Sequence, residues 1–307
     1  MNKKNNKSKV TLSNSGLSPT NKVLTHNHLG EEVDSKVAGE LPLTIKIDNE
    51  ELITLMTLGT RPEELTLGYL RNQGIIDSID NILSIDVKWD IGISNVITKN
   101  KNVKNILDKL EKKTVTTGCG QGTIFGSTIE KLYDNTLPSV KIKRSEIFDL
   151  LAKITKFNDI YKEAGAVHGC ALCDRKNVLE FVEDVGRHNA ADTLSGFMWL
   201  NDMVGEEIIF YTTGRLTSEI IMKAKHMGIP IIISRSGVTN MGIELAKDLN
   251  ITMIARSKQR SFLIYNNKKN IIKTKVKTPR NSKKFFGISE KKSANLAYLL
   301  NCLIFLS

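Results

Sequence analysis

The sequence predicts an α/β fold: a largely parallel sheet flanked by helices, preceded by a smaller α+β region. Three observations carry this. From Ala166 to Tyr265, strand-like and helix-like segments alternate. Among them, Ile208-Ile-Phe-Tyr and Ile229-Pro-Ile-Ile-Ile are continuously apolar, as a strand buried on both faces requires. Further upstream, Ile45 and Ile47 alternate with polar residues, Asp48-Asn49 makes a turn, and Glu51 to Leu58 returns. That pattern is a hairpin with one buried face.

Taken in order, residues 1–40 are rich in Asn, Ser and Lys and read as a disordered N-terminal extension. A small α+β domain spans 41–140. Its helix begins near Thr60, a cap candidate, with Pro62 in the first turn beside Glu63 and Glu64, and runs to Gly74. Strands follow at Ile82–Val87 and Ile91–Ile97, then an exposed lysine-rich stretch over 99–114, then the loop Thr117-Gly-Cys-Gly-Gln-Gly-Thr123. An α/β domain for ligand binding spans 141–266. It opens with a helix ending at Phe157. Strands Val167–Cys173 and Val178–Val182 lead to a helix over Asn189–Asn201. Strand Ile208–Thr212, helix Thr217–Met227, strand Ile229–Ser234 and helix Thr239–Leu249 follow, and strands Ile251–Ala255 and Phe262–Tyr265 close it. Residues 267–307 read as a basic, disordered tail with no periodicity.

The net charge of +11 is uneven. Residues 1–22 carry +5 and residues 266–307 carry +9, which leaves the body at −3. The basic balance belongs to the ends, so no nucleic-acid track is expected on the body. The N-terminus has no apolar signal-peptide core. The apolar run Leu296–Leu306 is shorter than the roughly 20 residues of a spanning helix. Cysteines at 119, 170, 173 and 302 do not form a disulfide framework, and a cytoplasmic protein is expected.

The chemistry concentrates at Glu183-Asp-Val-Gly-Arg-His-Asn189, where a strand ends and a helix begins. Two carboxylates, Arg187 and His188 share this junction, with Gly186 as its hinge. Strand ends and helix N-termini in α/β sheets are where anions bind. Thr213-Gly214-Arg215 and Ser234-Arg235-Ser236-Gly237 repeat the pattern of glycine, hydroxyl and arginine. Arg256, Ser257, Lys258, Gln259, Arg260 and Ser261 add a basic loop. Together they suit a nucleotide-like anion. The bland alternative for each is a solvated turn. Cys119 sits among Gly118, Gly120 and Gly122, whose unshielded amides favour a thiolate; an ordinary thiol in a flexible turn is equally compatible with the spacing. Cys170 and Cys173 form a Cys-x-x-Cys on a strand, which turns the two to opposite faces. They read as buried thiols, with no second ligand pair for zinc. His168 shares a face with Cys170 and lies near the end facing Arg187.

These stretches resemble the formate dehydrogenase accessory sulfurtransferase family, FdhD, over roughly residues 41–266. The resemblance rests on Thr60-Arg-Pro-Glu-Glu-Leu-Thr-Leu-Gly-Tyr-Leu-Arg-Asn-Gln-Gly-Ile-Ile, Glu183-Asp-Val-Gly-Arg-His-Asn-Ala-Ala-Asp, Thr213-Gly-Arg-Leu-Thr-Ser-Glu and Gly228-Ile-Pro. It implies a cytidine-deaminase-like three-layer domain and a homodimer. It also implies a sulfurtransferase in which Cys119 takes sulfur from a cysteine desulfurase as a persulfide. The acceptor would be a molybdenum or tungsten bis(molybdopterin guanine dinucleotide) cofactor (bis-MGD), bound as substrate, for a formate dehydrogenase. No permanently bound metal is expected. On this reading Arg187, Arg215, Ser236 and the loop 256–261 hold the cofactor, and His168 or His188 handles protons. The family loop carries a second cysteine; here Gly122-Thr123 follows instead. The alternatives are a cofactor chaperone without sulfur transfer, and a zinc deaminase. For the latter, the His-x-Glu and Pro-Cys-x-x-Cys pair is missing.

Overall fold

In the computed structural model, which describes residues 10–99, 136–259 and 261–274, the polar N-terminus forms strands. β1 (Thr11–Leu12) runs parallel to β6 (Ile82–Lys88). β2 (Thr20–His26) and β3 (Glu32–Ala38) make a two-stranded ribbon. The expected disorder of residues 1–40 is therefore corrected over 10–40. Composition misleads here because hydrogen bonds hold the segment. Ser13 Oγ donates to Glu63 (2.7 Å) and accepts from the Val87 amide (2.9 Å), and the Trp89 indole donates to the Ser15 carbonyl (2.6 Å).

The first sheet has the order β1-β6-β7-β4-β5, with β4 at Leu41–Ile47, β5 at Glu50–Thr57 and β7 at Ile93–Thr98. The turn between β4 and β5 uses Asp48 and Asn49, both at positive φ, as tight hairpins require. Helix α1 (Pro62–Asn72) packs Leu65 and Leu70 into a core with Leu43, Ile45, Leu55, Ile85 and Val96. Pro62 occupies its first turn, and Arg61 rather than Thr60 is the cap residue.

The second sheet has the order β10-β9-β11-β12-β13-β14. These strands are β9 (His168–Cys173), β10 (Val178–Asp184), β11 (Ile209–Thr212), β12 (Ile231–Ser234), β13 (Thr252–Lys258) and β14 (Ser261–Ile264). Only β11, β12 and β13 are mutually parallel; β10, β9 and β14 join antiparallel. The sheet is mixed, which corrects the largely parallel expectation. The reason is turn length. Asp174 to Asn177 is too short for a crossover, and Asp174 Oδ1 closes it by accepting from the amides of Lys176 and Asn177. The apolar runs did mark the parallel strands, since β11 and β12 are buried throughout.

Helices cover both faces of this sheet. On one, α2 (Arg144–Ile154) packs Ile147, Leu150 and Leu151 against Cys173, Ile209 and Ile231. On the other, α4 (Arg187–Leu200), α5 (Ser218–His226) and α6 (Asn240–Asp248) bury Cys170, Leu172, Phe210 and Met253. Between α2 and β9 lies the short α3 (Asp159–Ala164). β8 (Ile142–Lys143) pairs with β15 (Ile271–Ile272). Asn270 bonds Ser139 and Thr252, so 267–274, expected as tail, is ordered. Residues 275–307 lie outside the described residues. Both sheets belong to one packed unit that ends at Lys273. No helix among the described residues is long and apolar enough to cross a membrane.

The two sheets are joined where α1 crosses α4. A Cβ at Gly68 would overlap the Asp192 carbonyl, and one at Gly196 would overlap that of Glu64, so the helix backbones touch. Beside the crossing, Asn72 Nδ2 donates to Asp192 Oδ1 (2.8 Å) and Ser195 Oγ donates to Asn72 Oδ1 (3.0 Å). Lys223 Nζ of α5 reaches both Asp192 oxygens at 2.5 and 2.7 Å. All four side chains are buried.

Candidate functional site

Strand direction assembles the site. β11, β12 and β13 all end at the same sheet edge, and β9 begins there because it runs antiparallel to β11. His168, Asp184, Gly214-Arg215, Ser234-Arg235-Ser236 and Arg256-Ser257 therefore share one edge. Hydrogen bonds lock these loops together. Gly169 and Thr213 exchange bonds of 2.9 and 3.0 Å. Ser234 Oγ donates to the Gly214 carbonyl (2.6 Å) and accepts from the Ser236 amide (2.9 Å). The Arg256 amide donates to the Ser236 carbonyl (2.8 Å).

Asp184 anchors this edge to the first sheet. Its carboxylate accepts from Thr57 Oγ1 (2.6 Å), the Leu58 amide (3.1 Å), the Gly186 amide (2.9 Å) and Asn189 Nδ2 (2.9 Å). Burial raises its pKa against these donors. Glu183 accepts from the Ile160 and Tyr161 amides at the start of α3. Gly186 is extended at φ −102°. It is a hinge by crowding, because a Cβ there would meet the Asn189 amide at 3.0 Å.

Cations converge beside this anchor. Arg187 is buried, and its stem lies over Gly214, where a Cβ would come within 2.9 Å of Arg187 Cδ. Arg215 is exposed. Half-buried His168 is pushed below its ordinary pKa by burial and then by the charges of Arg187, His188 and Arg215. His188 is pushed down by burial, opposed by Glu219, with Lys223 and Arg187 adding to the fall. Burial and the neighbouring arginines thus keep both imidazoles uncharged near neutral pH, and an anion bound beside them would favour their protonation. Two buried hydroxyls at the same edge, Thr217 Oγ1 and Ser257 Oγ, have no hydrogen-bond partner among the described residues. Buried polar atoms are normally satisfied, so both have hydrogen-bonding capacity to spare. Thr217 leads α5 and Ser257 belongs to the basic loop. In that loop Arg256 takes a left-handed backbone (φ 50°), and Lys258 and Gln259 are exposed. Ser261 is half-buried and pairs with Lys258 across the turn. Cys119 and Arg260 lie outside the described residues.

Neither remaining strand cysteine replaces the missing loop thiol. Cys170 packs with one face's core and Cys173 with the other's. Burial pushes both up to about 12, so neither supplies thiolate near neutral pH. Their opposite faces also prevent shared coordination of a metal.

The sequence motifs fit a known family. The FdhD/NarQ family profile matches residues 38–272. The chain belongs to the FdhD/NarQ family. It is 30% identical over 235 residues to the sulfur carrier protein FdhD of Bacillus subtilis, covering 76% of this chain and 89% of that one. Against the sulfur carrier protein FdhD of Bacillus licheniformis it is 29% identical over 234 residues, covering 76% and 88%. It is also similar to a crystal structure assigned to a formate dehydrogenase accessory protein of Desulfotalea psychrophila, with TM-score 0.66 and 28% identity, covering 82% of this chain and 98% of that one. Sequence reading missed two residues that contact the family's signatures. Glu219, the last residue of the Thr213–Glu219 motif, places Oε2 3.0 Å from His188 Nε2. Thr57 holds Asp184. Glu219 was readable as a motif member; nothing local marks Thr57.

Proposed function

We propose that this protein carries sulfur as a Cys119 persulfide to a guanine-dinucleotide molybdenum or tungsten cofactor, bis-MGD, bound as substrate, for a formate dehydrogenase. The observation that carries the reading is the cluster of Arg187, Arg215, His168 and His188 at one sheet edge, flanked by unsatisfied hydroxyls. That set suits the diphosphates of such a cofactor. The relatives' name, sulfur carrier protein, supports the cargo.

On this reading Arg215, being exposed, meets the phosphate first, and buried Arg187 supplies a fixed charge behind it. Ser236 and residues 256–261 wrap the nucleotide end. A cysteine desulfurase places one sulfane sulfur on Cys119. When the S–S bond breaks, Cys119 leaves as thiolate. The sulfur arrives at the zero oxidation level, and the acceptor metal supplies the two electrons that make it a sulfido ligand. The cytidine-deaminase-like topology, the homodimer and the cytoplasmic setting belong to this same reading, as does a functional division near residue 140.

A cofactor chaperone without sulfur transfer is the second reading. One observation favours it: among the described residues the anion edge holds no reactive thiol. Intact mass after incubation with a desulfurase and cysteine separates the two. Carriage requires a gain of one sulfur in the wild type and none in Cys119→Ala. If both proteins gain nothing while guanosine diphosphate (GDP) still binds, the chaperone reading stands.

A further inference from the structure

Two family signatures meet across 31 positions of sequence, where His188 Nε2 lies 3.0 Å from Glu219 Oε2. His188 is 6% exposed, and its Nδ1 is buried with no hydrogen-bond partner among the described residues. The separation has the length of a hydrogen bond, although the contact does not reach full hydrogen-bond geometry. A carboxylate at that distance favours an N–H on Nε2 over a bare lone pair, which leaves the Nδ1 lone pair of the neutral ring as an acceptor. An enclosed acceptor with nothing to bind is costly in the free protein and is satisfied by a ligand donor. Its surroundings are polarised: Lys223 stands one helical turn beyond Glu219 on α5, Arg187 adjoins on α4, and His168 faces it from β9.

We propose that Glu219 is a positioning residue that holds His188 as the Nε2–H tautomer, so that Nδ1 accepts a hydrogen bond from the bound guanine-nucleotide cofactor. This rests on the nucleotide-binding part of the function proposed above and is independent of sulfur carriage. Glu219 touches no reacting atom; it acts through the imidazole. The proton stays on Nε2 throughout, and no bond is made or broken.

The tautomer is read directly by long-range nitrogen–proton NMR on uniformly labelled protein, with GDP as the ligand probe. In the wild type without nucleotide, His188 shows a protonated Nε2 and a bare Nδ1, and GDP shifts the Nδ1 resonance. Glu219→Ala mixes the tautomers and weakens GDP roughly tenfold, the scale of one hydrogen bond. Glu219→Gln, whose amide oxygen still accepts, restores the tautomer and most of the affinity; it is also the variant to use if the alanine protein does not fold. A wild-type His188 protonated at Nδ1 overturns the proposal. So does a Glu219→Gln or Glu219→Ala protein with altered tautomer but unchanged GDP affinity. If GDP fails to bind the wild type at all, the nucleotide reading falls and this proposal falls with it. Loss of persulfide formation alone leaves it standing.

Discussion

Replacing Gly68 by alanine tests whether the α1–α4 crossing carries the fold. The added methyl would overlap the Asp192 carbonyl oxygen. To restore ordinary contact the helices must part by roughly 1.5–2 Å. Three bonds across the seam then exceed their reach: Asn72 to Asp192 at 2.8 Å, Ser195 to Asn72 at 3.0 Å and Arg71 to the Ser195 carbonyl at 3.1 Å. Each group left open costs about 1–3 kcal/mol, so the loss comes to about 3–9 kcal/mol. That is a large part of the stability of a typical domain, about 5–15 kcal/mol. Urea denaturation followed by circular dichroism measures it. Gly237→Ala is the control, because a Cβ there meets nothing within 4 Å, and its midpoint should barely move. A Gly68→Ala midpoint equally close to wild type would refute the backbone-contact argument.

Four further outcomes follow from the geometry. Arg215→Ala should weaken GDP about 10–100-fold, the scale of a lost charge-assisted contact, with the urea midpoint unchanged because the side chain is exposed; calorimetric titration reads it. Asp184→Ala should cost about 2–4 kcal/mol, since Thr57, Leu58, Gly186 and Asn189 lose one shared acceptor; a near-wild-type urea midpoint would contradict this. Stability should fall with acidity below the ordinary histidine value of 6.5. His168 and His188 are depressed, and burial pushes His226 down to about 4. A depressed histidine lets the unfolded chain bind protons that the folded one refuses. The histidine contribution is thus intact above pH 6.5 and is lost toward pH 4, and His226→Gln should flatten the slope of urea midpoint against pH most. Finally, Cys170 and Cys173 should resist iodoacetamide at pH 8 until urea unfolds the protein, which mass spectrometry of peptides resolves.

Much of the second sheet was legible because burial on both faces leaves an unbroken apolar run, as in Ile229–Ile233. Strand direction at the sheet's flanks was less so. It is set by turn length at Asp174–Asn177, a feature that periodicity ignores. Order in residues 10–40 was hidden because hydroxyls and carbonyls, not apolar faces, hold Ser13 and Ser15. At the site, charge and glycine patterning located Arg187, His188 and Gly214. Their contacts were invisible because they are made at long range. Glu219 meets His188 across 31 positions, and Thr57 meets Asp184 across 127. Only the fold closes such distances. Gly186 was read as a hinge; its φ is extended, and a side chain there would press on the Asn189 amide at 3.0 Å.

The cysteines constrain how sulfur would leave. A persulfide is discharged either by a neighbouring thiolate, which leaves a disulfide, or by the acceptor itself, which leaves a free thiol. In the loop, Gly122-Thr123 removes the first option. Cys170 does not supply it either. Its sulfur sits 3.3 Å from Thr212 Oγ1 inside the core, and burial holds the thiol protonated. If Cys119 is the carrier, neither a second loop thiol nor Cys170 discharges it, which favours direct transfer to the bound acceptor. A burial-protected thiol beneath an anion edge thus favours a one-step delivery. Each turnover should return Cys119 as a free thiol, and non-reducing mass spectrometry after transfer should find no disulfide joining it to Cys170 or Cys173.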